Sequence, residues 1–184
     1  MRRSSLAGAV LFIGVAQFLF FLRVAESIYP GYSVSGNYIS DLGVGVAAPV
    51  FNTSVSFLGV CVIAAAYLSL AVVGSRVFAA LVAAAGVGAF GVGLFPENVP
   101  VLHTVFSFIT FFFAGLAAVY GLRVFNRLMG VFSMVCGLTA LAALALFASG
   151  NYLGLGHGGM ERLIVYPVLS WGLLLSGYFI AKAS

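Results

Sequence analysis

Six apolar stretches, each about 20 residues long, divide the chain, and polar residues fall mainly in the short segments between them. The stretches run approximately Ser5–Ser27, Pro49–Val73, Val77–Phe95, Val101–Leu122, Leu128–Ser149 and Arg162–Ala181. Roughly 20 apolar residues in a helix cross the hydrocarbon core of a bilayer. Barrel strands instead alternate apolar and polar positions over about ten residues, whereas Val77–Phe95 is apolar on every side. The pattern predicts an all-α integral membrane protein: one six-transmembrane-helix bundle occupying residues 1–184, with a long loop over 28–48.

Composition agrees. Of 184 residues, 63% are hydrophobic and 7% charged, and mean hydropathy is +1.20; soluble domains carry about 25% charged residues. The net charge of +4 is explained by where the bases fall, so no nucleic-acid partner is expected. Arg2, Arg3, Arg76, Arg123, Arg127 and Lys182 occupy the two termini and the second and fourth turns. By the positive-inside rule, both termini are cytoplasmic and the odd-numbered turns face outside, in a multi-pass protein of the cell membrane. Met1-Arg2-Arg3 before an apolar run mimics a secretory signal, but the run is long enough to span and is taken as a retained first helix. Cys61 and Cys136 lie within apolar stretches and read as small buried hydrophobes.

All four acids (Glu26, Asp41, Glu97, Glu161) and both histidines (His103, His157) fall at the predicted outer side, with Arg23 and Arg162. Ionisable groups at membrane depth are costly and mark functional sites. Glu97 and His157 sit in turns and read as solvent contacts. At the helix ends, His103, Asp41 and Glu161 are the candidate catalytic residues, with His103 as general acid or base oriented by a carboxylate. Arg23, Asn37, Tyr38, Asn52 and Arg162 are the candidate substrate-binding residues, the arginines suiting an anionic phosphate or oxyanion. Ser40 beside Asp41 is a weaker nucleophile candidate, with no GxSxG elbow around it. His103, Ser107 and Thr110 form one stripe at i, i+4 and i+7. Ala84, Gly86, Gly88, Gly91 and Gly93 are assigned to close helix packing.

A catalytic metal would need three protein ligands and an open position; His103, His157 and Asp41 are the available set, without an HExxH motif. Zinc and bis-histidine haem are both conceivable, and the sequence selects neither. The competing structural reading is an ion-pair lid in which Arg23 and Arg162 neutralise Asp41 and Glu161. An ion-coupled transporter is disfavoured because midplane polar residues are few.

The segment Tyr29-Pro-Gly-Tyr-Ser-Val-Ser-Gly-Asn-Tyr-Ile-Ser-Asp-Leu-Gly43, followed by Phe51-Asn52, resembles an uncharacterised family of six-helix archaeal and bacterial membrane proteins, domain of unknown function 998. Leu94-Phe-Pro-Glu-Asn98, His103 and Gly158-Gly-Met-Glu-Arg162 extend the resemblance along nearly the whole chain. The loop Asn37-Tyr-Ile-Ser-Asp41 is also similar to the first loop of Frag1/DRAM/Sfk1 proteins, which implies a lipid-related role. Together these readings point to a hydrolase or transferase acting on membrane lipid or a lipid-linked group at the outer face. A non-catalytic lipid-binding or structural protein is the alternative, and either could form a homo-oligomer.

Overall fold

In a computed structural model, which describes residues 3–182, the chain forms six helices: α1 Arg3–Ile28, α2 Ala48–Val73, α3 Arg76–Leu94, α4 Pro100–Val124, α5 Arg127–Ala148 and α6 Gly156–Ala181. No strand occurs among the described residues. All six helices are long and apolar enough to cross a membrane; even α3, the shortest, is about 28 Å long at 1.5 Å per residue.

Local chemistry sets the helix ends. Pro49 and Pro100 stand in the first turns of α2 and α4, where a missing N–H costs nothing. The Ser75 hydroxyl accepts from the Phe78 N–H, and the Asn126 side chain accepts from the Met129 N–H, capping α3 and α5. Gly74 closes α2 in the left-handed region at φ 71°.

Each helix packs against its chain neighbours, and α1 closes on α6, so the six helices form a ring. Glycines bring the walls together. A Cβ on Gly88 would stand 2.5 Å from the Thr110 backbone N, and one on Gly93 would stand 2.5 Å from the Asn52 carbonyl oxygen. The small residues of α3 therefore serve packing, as expected. Large apolar side chains such as Phe12, Phe20, Phe57, Phe108 and Phe132 face outward, as a surface solvated by lipid requires.

Because adjacent helices alternate in direction, Arg3, Arg76, Arg123, Arg127 and Lys182 all fall at one end of the ring. The opposite end, called here the loop face, carries the α1–α2 loop. That loop contains two short 3₁₀ turns, Ser40–Gly43 and Gly45–Ala47. It folds down into the ring: Ile39 and Leu42 are buried.

One boundary differs from expectation. The sixth helix begins at Gly156 rather than near Arg162, so His157, Gly158 and Glu161 are helical. The Gly158 N–H donates to the Ser35 carbonyl at 2.9 Å, giving a partner to a first-turn donor that would otherwise lack one. The loop crosses so closely that a Cβ on Gly158 would stand 2.5 Å from the Val34 carbonyl oxygen. A glycine-rich segment that reads as a turn is helical here because the loop backbone needs the space.

Candidate functional site

The loop face is held by a buried ion pair. Arg23 and Glu26, three residues apart in the last turns of α1, are neighbours on one face, and Arg23 donates to Glu26 Oε2. Glu26 Oε1 accepts from Arg162 Nη2 on α6 at 2.7 Å. Glu26 and Arg162 are 7% and 5% exposed. The same Nη2 lies 2.7 Å from the Tyr32 hydroxyl, and Nη1 donates to the carbonyls of Val34 (2.7 Å) and Gly158 (3.0 Å). The guanidinium also stands over the Tyr32 ring, 5.6 Å from its centroid. Arg162 thus clamps the loop to α1 and α6. Burial pushes the Tyr32 phenol up to about 12, against the opposing pull of Arg162.

This corrects the partners expected for the lid. Neither arginine's side chain bonds Asp41 or Glu161; both bond Glu26, which α1 presents directly to α6. Asp41 Oδ2 accepts instead from the Asn37 side chain at 2.8 Å and the Tyr38 N–H at 3.1 Å, so its visible role is to hold the loop turn. Glu161 Oε2 accepts the backbone N–H of Ile39. Glu97, in the α3–α4 turn, meets Ser40 and Asp41. Burial, then the nearby Asp41, holds its carboxyl above the ordinary carboxylate value, while Ser40 pulls the other way.

His103, 8% exposed, sits one turn into α4. Its Nδ1 lies 2.9 Å from the Phe95 carbonyl oxygen. A carbonyl can only accept, so Nδ1 donates to it, which leaves Nε2 to face the cavity side of the ring. Ser107 Oγ lies 3.3 Å from that Nε2. The histidine is therefore oriented by a backbone carbonyl rather than by Asp41 or Glu161.

His103, Ser107 and Glu161 meet at a cavity within the helix ring. Its volume is about 120 Å³. Ser40, His103, Ser107, Thr110 and Glu161 supply its polar lining. The remainder is almost wholly apolar, extending past Phe51, Leu58 and Val82 to Trp171 and Leu175. From Glu161 to Leu175 the helix rises about 21 Å. Trp171 donates from Nε1 to Ser133 Oγ at 2.9 Å, which fixes the indole in the cavity wall.

Other expected residues stand apart from the cavity. Asn52 donates to the Gly43 carbonyl at 3.0 Å, while its Oδ1 is buried without a partner. Tyr38 stacks on His157 at 5.3 Å, and His157 meets Tyr152 edge-on. Asp41, His103 and His157 do not converge: among the described residues, no three His, Cys, Asp or Glu side chains group as a metal site. Ser107, Glu97 and Tyr32 were not among the sequence-based site residues. Ser107 was legible as the i+4 partner of His103, and Glu97 lies in a corner with proline on either side.

Fold and site together define a six-helix membrane protein with an amphipathic interior chamber capped by its longest loop. The chain belongs to the family described as protein of unknown function (DUF998), whose model matches residues 12–178. No curated protein and no solved structure shows significant similarity to it.

Proposed function

We propose that the protein acts on a membrane lipid or lipid-linked amphiphile, as a hydrolase or transferase working at the extracytoplasmic face. The cavity carries this reading: its long apolar portion suits an aliphatic chain, and its polar groups suit a head group. His103 is the general base. Its Nε2 takes the proton from an attacking hydroxyl, the position Ser107 occupies at 3.3 Å, and returns that proton to the leaving group. Glu161 lines the same chamber, and Asp41 supports it by holding the loop turn. The one-sided distribution of basic residues supports the extracytoplasmic placement.

The non-catalytic alternative draws on the Arg162–Glu26–Arg23 network, which fits a lid that closes the bundle over a bound lipid. It accounts for the arginines but not for the His103–Ser107 pair. Lipids co-purifying with wild type and with His103→Ala test the two. Catalysis requires the variant to retain an amphiphile that wild type converts; identical lipid content in both would leave binding alone.

A further inference from the structure

The charges around the chamber point to the kind of head group it takes. Among the described residues, no Arg or Lys lines the cavity. Arg162, the buried arginine at this end, directs Nη1 and Nη2 to Glu26, Tyr32 and the carbonyls of Val34 and Gly158, with Nε buried and without a partner, and Arg23 bonds Glu26. The hydrogen bond to the Phe95 carbonyl occupies His103 Nδ1, so that in the neutral imidazole Nε2 is the acceptor. Glu161 is 8% exposed and lines the chamber. Its Oε2 accepts from Ile39, whereas Oε1 accepts no hydrogen bond among the described residues. Arg162, Glu97 and Asp41 all stand close enough to act on it electrostatically, the arginine against the two acids. The polar end therefore offers Glu161 Oε1 and a His103 Nε2 that meets only the Ser107 hydroxyl. With no Arg or Lys among the described residues in its lining, a phosphate or carboxylate brought there would find no cation in direct contact.

We infer that the chamber binds a long-chain amphiphile whose head group is a hydroxyl or an amine, donating to His103 Nε2 and Glu161, rather than an anionic head group. This deepens the reading of the chamber as a lipid site and rests on it. A hydroxyl or amine would take the place of the Ser107 hydroxyl at Nε2, which is where a base must sit to activate a transfer acceptor.

Trp171 provides the readout, since it is the sole tryptophan and lines the cavity wall. Purified full-length protein in detergent is titrated with three stearyl probes, each carrying a nitroxide near the chain end: the alcohol, the amine and the carboxylate. The expected result is saturable quenching of Trp171 by alcohol and amine, at concentrations about tenfold below the carboxylate. Glu161→Gln should weaken the amine several-fold while leaving the alcohol nearly unchanged. Equal quenching by all three, or preference for the carboxylate, overturns the head-group assignment while the chain-binding chamber stands. No saturable quenching, or quenching unaltered when Ala114→Leu fills the chamber, overturns the lipid site and this assignment with it.

Discussion

Glu26 and Arg162 lie 136 residues apart in sequence yet share a 2.7 Å ion pair inside the bundle, with side chains only 4% and 6% exposed. Breaking such a pair strands a charge, which costs about 3–5 kcal/mol. Arg162→Met should therefore lower unfolding stability by about that amount, and Glu26→Gln similarly. Arg23 reaches the same carboxylate from a side chain that is 73% exposed, so Arg23→Gln should cost roughly 0–1 kcal/mol. Thermal unfolding of the purified variants decides the matter. Equal losses for Arg162→Met and Arg23→Gln would show that Arg162 is not the clamp.

Glu97 gives a pH-dependent prediction of the opposite sign. Its folded-state value lies above the ordinary 4.5 because of burial and the nearby Asp41. The folded chain thus holds this proton more tightly than the unfolded chain. Its contribution to stability is fully present below about pH 4.5 and fades as pH rises through the raised value. Near neutral pH the carboxylate stands unfavourably beside Asp41, so Glu97→Gln should stabilise. The gain should be on the order of 1 kcal/mol or less, because Glu97 is partly solvated. Melting temperatures of the two proteins should differ at pH 7 and converge toward pH 4.

The six helices were legible because hydrophobic runs of membrane length carry their own signal, and five of the six expected starts fall within about two residues of those observed. The start of α6 was not, because Gly156–Gly159 reads as a turn until the loop carbonyls of Val34 and Ser35 are placed against it. The clustering of polar groups at one end was likewise visible, since it follows from alternating helix direction. Partner choice was not. Which carboxylate Arg162 reaches depends on how α1 rotates against α6, and nothing local to either helix fixes that. The orientation of His103 by the Phe95 carbonyl was hidden too, because a backbone acceptor leaves no mark in the identity of its residue.

Filling the chamber should separate stability from ligand handling. Ala114 is buried and lines the cavity on α4. Ala114→Leu adds apolar volume where space exists, so stability should hold or rise by about 0.5–2 kcal/mol. Co-purified amphiphile should fall sharply in the same sample. A loss of stability together with full lipid retention would mean that the space is not where the ligand sits.

The placement of the loop face outside the cell rests on basic residues, and it can be read directly by labelling. Cys61 is buried and Cys136 partly buried within apolar helices, so both should resist a membrane-impermeant maleimide in intact cells. Ser35, exposed on the α1–α2 loop, and Ser75, at the α2–α3 turn, mark opposite ends of the ring. Ser35→Cys should label in intact cells, and Ser75→Cys only after the membrane is opened. The latter loses the hydroxyl that caps α3, at a cost of about 1 kcal/mol, which the bundle should tolerate. The reverse labelling pattern would place the His103 chamber on the cytoplasmic side, and with it any lipid the protein handles.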